Sequence, residues 1–184
     1  MTAAPSPPEA ERERFDAHER RAARLAAVQA LYQIEASQTP TEQVIKDFLI
    51  GRLGGLAVTQ DADTAQESIV ALATLEGALF IDLVRAVQTR GSEIDEIIKG
   101  ALSPEWPWDR LEMTLRAILR AGVAELLTRT DIPGGATVTE FIEVAHAFYA
   151  GAEPRMVNAV LDRVAKVLGR MDSGRPARDG ALAP

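Results

Sequence analysis

The stretch LEMTLRAILRAGVAEL, residues 111–126, decides the fold class of this chain. Its apolar residues recur every three or four positions and fall within about 140° of arc on a helical wheel. A stripe this wide is typical of a helix that buries one broad face. We therefore predict a central helix from about Trp108 to Thr130. Its buried stripe consists of Leu111, Leu115, Ile118, Leu119, Gly122, Val123 and Leu126.

Glycines, prolines and polar runs divide the rest of the chain into further helices. The run TPTE at 39–42 has the spacing of a capping box, with threonine as the cap and proline at the first helical position. No segment alternates with period two for long enough to predict a strand, and residues 59–64 are expected to form a loop. The sequence predicts an all-α fold, a single compact bundle of about seven helices. These helices cover about 18–37, 41–50, 65–89, 93–102, 108–130, 137–149 and 154–168.

Both ends of the chain differ in composition from the helical part. Residues 1–17 are rich in proline, alanine and charge, and residues 170–184 carry glycine, proline and arginine without an apolar period. Such segments bury too little apolar surface to fold, so we expect disordered tails there. Residues 18–169 then form one helical domain. In its first helix, Leu25, Val28, Leu31 and Tyr32 are expected to face inward.

Composition limits what the chain can bind. The 184 residues carry a net charge of −7 and include no cysteine. The acidic balance argues against nonspecific coating of nucleic acid or anionic membrane, so a nucleic-acid contact must be a local patch. The lack of cysteine excludes disulfides and thiolate metal sites and is compatible with a reducing cytoplasm. With no apolar leader or membrane-length run, we expect a cytoplasmic protein without a membrane partner.

Catalytic and cofactor-binding motifs are missing from the sequence. There is no glycine-rich phosphate loop, no dinucleotide-binding turn and no nucleophile elbow. His18 and His146 are far apart, and neither has the spacing of a metal-ligand set. We expect no catalytic residue, no metal and no cofactor, and therefore a protein that is not an enzyme.

A compact arginine cluster stands at the start of the first helix. Arg20, Arg21 and Arg24 occupy positions i, i+1 and i+4 and share one arc. Guanidinium groups present planar forks of donors that suit a run of phosphates. The alternative is a solvated, salt-bridged helix start, because acidic residues at 11, 13, 16 and 19 stand close by.

Four stretches of the sequence share their spacing with one protein family. The family begins with an arginine-rich helix that runs into A-x-x-x-L-Y, and this pattern is matched by RRAARLAAVQALY at 20–32. The family patterns L-R-x-A-x-x-E-L and D-x-P are matched by LRAGVAEL at 119–126 and by Asp131 and Pro133. TEFIEVAHAF at 139–148 and RMVNAVL at 155–161 stand where the family has N-E-x-x-E-L-A-K-x-F and K-F-V-N-G-V-L. Over about residues 19–168, the chain resembles the NusB family of bacterial transcription antitermination factors.

The resemblance implies both a fold and a function. The implied fold is an all-α bundle of two helical subdomains. The implied function is binding of boxA RNA in ribosomal RNA leader transcripts together with NusE, a ribosomal protein, within the antitermination complex on RNA polymerase. Arginine suits such RNA because it can stack on splayed bases as well as pair with them. The RNA-binding residues implied by the matching motifs are Arg20, Arg21, Arg24, Arg120, Arg155, Met156 and Asn158.

Departures and alternatives accompany this interpretation. Met156 replaces a family phenylalanine and offers no ring for stacking, while Asn158 can instead satisfy backbone groups between helices. The same fold serves as the RNA-binding domain of some ribosomal RNA methyltransferases, although no cofactor-binding sheet is expected here. A helical DNA-binding regulator is a further alternative, but its basic residues should lie on the second helix of a helix-turn-helix rather than on the first. The role of residues 50–65 stays open.

Overall fold

A computed structural model describes residues 9–51, 56–60, 67–71 and 76–171, with side chains over 16–51 and 76–171. Almost all of this part is helical, which confirms the predicted all-α fold. A 3-10 turn at Trp108–Arg110 precedes the fourth helix, and two short strands lie between the second and third helices. The helices are α1 Glu9–Ser37, α2 Thr41–Leu49, α3 Gly77–Ala101, α4 Met113–Thr128, α5 Gly134–His146 and α6 Glu153–Val167. None of the described helices is both long and apolar enough to cross a bilayer.

Helix α4 is the centre of the bundle, as its sequence predicts. It packs against α1, α3, α5 and α6, and its residues 121–126 are all buried. Gly122 is required by this packing, because a Cβ atom there would lie 2.9 Å from the side chain of Leu161 on α6. The helix begins at Met113 rather than near Trp108, since Leu111 has an extended backbone and the preceding residues form the 3-10 turn.

The predicted third and fourth helices form a single element. Helix α3 continues past Gly91 with a kink, where Arg90 has φ −116° and ψ 18°. The glycine and serine that predict a break therefore cause a bend instead. The described part of the chain accordingly contains six α-helices rather than about seven.

The segment between α2 and α3 departs most from prediction. Strands β1 Leu56–Gln60 and β2 Glu67–Ala71 pair antiparallel, with Val58 opposite Ile69. The expected loop is therefore wrong at residues 59 and 60, the expected helix is wrong at 67–71, and the expectation that no strand forms is wrong for both segments; residues 61–66 lie outside the described residues. Five-residue strands alternate too briefly to give a period-two signal, and their apolar residues also fit helical spacing.

The first helix starts outside its predicted boundary, whereas α6 ends at Val167, close to the predicted end at 168. Helix α1 begins at Glu9, nine residues before the expected start, because the charged residues after Pro8 are good helix formers. At the other end, the Arg170 guanidinium donates to backbone oxygens of Leu126 and Arg129 at 3.0 and 2.9 Å. The rest of the two expected tails, residues 1–8 and 172–184, lies outside the described residues.

Candidate functional site

The arginine cluster of α1 divides between the surface and the interior. Arg20 is partly exposed, and 49% of the Arg21 side chain is accessible to solvent. The Arg24 side chain is only 3% exposed. The predicted cluster therefore offers two cations to a ligand rather than three.

Arg24 is bound inside the protein by a carboxylate from α4. Its Nε donates to Glu125 Oε2 at 2.9 Å and its Nη2 donates to Glu125 Oε1 at 2.8 Å. The hydroxyl of Thr137, in the first turn of α5, donates to the same Oε1 at 2.7 Å. The donors of Arg24 face this buried carboxylate and not the surface, so the structure does not support the implied role of Arg24 as an RNA ligand, which stays a prediction.

Arg21 is exposed but already paired. Its Nε and Nη2 donate to the two carboxylate oxygens of Glu140 on α5, at 3.1 and 3.2 Å. This hydrogen bonding raises the pKa of Arg21, against the opposing effect of partial burial. Glu140 also lies 3.6 Å from Nη1 of Arg24, so one carboxylate bridges the surface arginine and the buried one.

Arg120 is held in a second charge network at the other end of α1. It donates to Asp95 of α3 and to Glu35 of α1 at 2.7 Å each, and its guanidinium carbon lies 5.2 Å from the ring centroid of Trp108. Hydrogen bonding to Asp95 raises its pKa, and Glu35 contributes in the same direction. Because its side chain is 20% exposed and bound to Asp95 and Glu35, the geometry of Arg120 favours a structural role, and its implied role in RNA binding stays a prediction.

The start of α6 presents a mixed set of predicted residues. Arg155 and Asn158 are exposed, as an RNA-facing role requires. Met156 is only 6% exposed and belongs to the hydrophobic core. On this helix Met156 lies on the same buried face as Val160, so the structure does not support its implied role in RNA binding, which stays a prediction.

An aromatic groove is the part of the surface that the sequence did not predict. Tyr32 and Phe148 are 41% and 40% exposed and line one groove of about 350 Å³. The sequence predicts that Tyr32 faces inward. Phe148 is part of the stretch that matches the family pattern at 139–148, and no exposure was predicted for it. The remaining lining residues are Val28, Gln29, Gln33, Phe48 and Thr114.

The cationic and aromatic groups lie along one side of α1. Its arginine end meets Glu140 of α5, and its tyrosine end meets Phe148, Phe48 of α2 and Thr114 of α4; we call this side of α1 the α1/α5 seam. Arg21 meets Glu140 of α5, and eleven residues later Tyr32 shares its groove with Phe148, just beyond the end of α5. Eleven residues of helix rotate by three turns plus about 20° and advance about 16 Å, so Arg21 and Tyr32 lie on the same side of α1. The two helices therefore run side by side in the same direction.

A recess of about 390 Å³ next to Arg20 has no net charge. It is lined by three arginines and three carboxylates. One of these arginines, Arg129, donates to Asp131 at 2.8 Å and lowers the pKa of that carboxyl to about 2. Within the described ranges, no group of three or more histidine or carboxylate side chains is arranged to hold a metal ion.

The fold and this seam define a helical bundle with exposed arginines and aromatic side chains along one helix pair. The NusB family model matches residues 21–166. The transcription antitermination protein NusB of Rhodospirillum rubrum is 50% identical over 151 residues, which cover 79% of this chain and 82% of that protein. The chain belongs to the NusB family, which confirms the family expected from its motifs.

Solved structures agree with this assignment. NusB of T. maritima has a TM-score of 0.61 and 28% identity, with coverage of 79% of this chain and 89% of that chain. A second match is a chain from the crystal structure of antitermination factors NusB and NusE in complex with dsRNA, with a TM-score of 0.61 and 23% identity. The match covers 82% of this chain and 98% of that chain, and it supports the fold alone.

Proposed function

We propose that this chain is a transcription antitermination factor that binds boxA RNA of ribosomal RNA leader transcripts together with NusE. In this proposal it joins the antitermination complex on RNA polymerase in the cytoplasm and catalyses no reaction. The observation that carries the proposal is the α1/α5 seam. It combines the exposed Arg21 and the partly exposed Arg20 at one end with the exposed rings of Tyr32 and Phe148 at the other.

This combination suits single-stranded RNA. Specific recognition of RNA targets unstacked bases, which stack on aromatic side chains and on guanidinium planes. Arg20 and Arg21 supply charge for phosphates, and the aromatic groove lies on the same side of α1 about 16 Å further along. Arg155 and Asn158, exposed at the start of α6, are the further RNA-facing candidates from the family motif.

The net charge of the chain explains why a partner is needed. At −7, the protein repels an approaching polyanion beyond the immediate surroundings of its arginines. A basic partner bound beside the seam reduces this repulsion. If NusE raises the affinity for RNA, then RNA raises the affinity for NusE by the same factor, because binding free energies are linked.

Titration of labelled boxA RNA with and without NusE tests the proposal. We expect weak binding to the chain alone and tighter binding to the preformed pair, by about 1–3 kcal/mol of coupling. A scrambled RNA and a DNA duplex of the same sequence are the matched controls. Equal dissociation constants with and without NusE contradict the role of the partner, and preference for the duplex favours the DNA-binding alternative.

A further inference from the structure

Arg24 connects the interior of the bundle to the proposed RNA surface. The hydroxyl of Thr137 donates to Glu125, Glu125 accepts both donors of Arg24, and Arg24 lies beside Glu140. Glu140 in turn accepts the exposed guanidinium of Arg21. Five side chains from α1, α4 and α5 thus form one continuous polar chain from a buried hydroxyl to a surface cation.

The inner part of this chain is fixed by burial. Glu125 and Thr137 are fully buried, and 3% of the Arg24 side chain is exposed. A buried charge that loses its partner is costly, because no water is available to replace it, so the inner hydrogen bonds stay in place. The outer part can rearrange, since Glu140 is 23% exposed and Arg21 is 49% exposed.

We infer that Thr137 and Glu125 are positioning residues for RNA binding, which act through Arg24 and Glu140 on the guanidinium of Arg21. Thr137 and Glu125 fix the orientation of Arg24, and Arg24 fixes the carboxylate that orients Arg21. The surface guanidinium is thereby held in one place before RNA arrives, which lowers the ordering cost of binding. This inference rests on the proposed function, and its ligand is the same boxA RNA.

The substitution Thr137→Val removes the hydroxyl with little change in shape. We expect it to weaken RNA binding about threefold, within the range of couplings measured inside hydrogen-bond networks. Thr137→Ser keeps the hydroxyl and should bind like the wild type. Thr139→Val is the matched control, because Thr139 is exposed on the same helix and its hydroxyl donates to Gly135 O at 3.0 Å, outside the polar chain.

A double-mutant cycle separates positioning from a general loss of structure. If Thr137 acts through Arg21, then Thr137→Val has no further effect on RNA affinity in an Arg21→Ala background. Additive losses, or equal affinities for Thr137→Val and the wild type, overturn the inference. If valine prevents folding, Thr137→Ala compared with Thr137→Ser replaces it in the cycle.

A measurement without RNA keeps this test independent of the proposed function. In the free protein, the Arg21 Nε–H resonance should shift in Thr137→Val and stay in place in Thr139→Val. If this resonance shifts but no variant binds boxA RNA, the proposed function fails while the polar chain is real. An unshifted Arg21 resonance in Thr137→Val overturns the inference itself.

Discussion

Arg24 and Glu125 form a bidentate ion pair inside the bundle, although they stand 101 residues apart in the chain. Each group is almost completely withdrawn from solvent. The pair therefore joins α1 to α4 at a position where neither charge can be rehydrated without opening the bundle.

Loss of one partner should be strongly destabilising. We expect Arg24→Met to lower the free energy of unfolding by about 3–5 kcal/mol, because it leaves the Glu125 carboxylate buried without its cation. Urea denaturation measures this loss. Arg24→Met combined with Glu125→Leu should recover much of it, whereas Arg21→Met at the exposed pair should cost about 1 kcal/mol or less. A small loss in the Arg24 variant contradicts the buried pair.

Arg120 should contribute to stability more than to binding. Its hydrogen bonds to Asp95 and Glu35 join α4 to α3 and α1. We expect Arg120→Ala to cost roughly 1.5–3 kcal/mol of unfolding free energy, a typical range for hydrogen bonds to charged groups. Arg163→Ala on the exposed face of α6 is the control and should change stability by less than about 0.5 kcal/mol. An unchanged melting temperature with weaker RNA binding would return Arg120 to the RNA site.

The helices were predictable because their signals are local. The stripe of α4 repeats over four turns, and no other period fits it. The antiparallel pairing of strands 56–60 and 67–71 was not predictable, because each strand has five residues and its apolar positions also match a helix. Likewise, a helical wheel cannot show that Gly91 bends α3 rather than ending it.

The sequence predicts the arginine cluster of the site, but it does not predict which of these side chains are buried or exposed. Arg24 shares its stripe with Val28 and Leu31, so position alone favours the interior, while its charge favours the surface. The deciding group is Glu125, whose proximity depends on the packing of α4 against α1. The exposure of Tyr32 also depends on tertiary packing, since no local signal separates a groove-lining ring from a core ring.

Tyr149 should titrate at unusually high pH. Burial, together with its hydrogen bond to Glu112 at 3.1 Å, raises the pKa of Tyr149 to about 12. In Tyr32→Phe, Tyr149 is the single remaining tyrosine, so tyrosinate absorbance reports it alone. A midpoint at the ordinary pKa of 10 contradicts this burial.

The sign of the stability effect follows from the raised pKa. The folded state holds the Tyr149 proton more tightly than the unfolded state, so this stabilisation is complete below pH 10 and is lost as the pH rises through about 12. Thermal unfolding should show a smaller alkaline loss in Tyr149→Phe than in the wild type. The same loss in both proteins would assign it to other groups.

Tyr32 should contribute a ring face to RNA binding. We expect Tyr32→Ala to weaken binding of boxA RNA by about 1–3 kcal/mol, the usual range for one stacked base, while Tyr32→Phe keeps most of the affinity. Val167→Ala is the control, since Val167 is 82% exposed near the end of α6. Equal losses in the alanine and phenylalanine variants would assign the effect to the hydroxyl instead of the ring.

The salt dependence of RNA binding should report how many surface arginines contact phosphates. Each phosphate contact to single-stranded RNA contributes about 0.7 to the slope of log affinity against log salt. With Arg24 buried, the cluster contributes at most roughly 1.4, from Arg20 and Arg21, instead of about 2 for three contacts. We expect Arg20→Ala combined with Arg21→Ala to flatten the slope by up to that amount without loss of helix content.

The same measurement identifies which arginine contacts RNA. The Nε and Nη2 of Arg21 are bound to Glu140, so Arg21 shares its charge with that carboxylate while its remaining donors hold a phosphate, and Arg20→Ala should reduce the slope more than Arg21→Ala. Arg163→Ala, remote from the seam, should leave the slope unchanged. An unchanged slope in the double variant would place the phosphate contacts elsewhere, with the exposed Arg155 at the start of α6 as the first residue to replace.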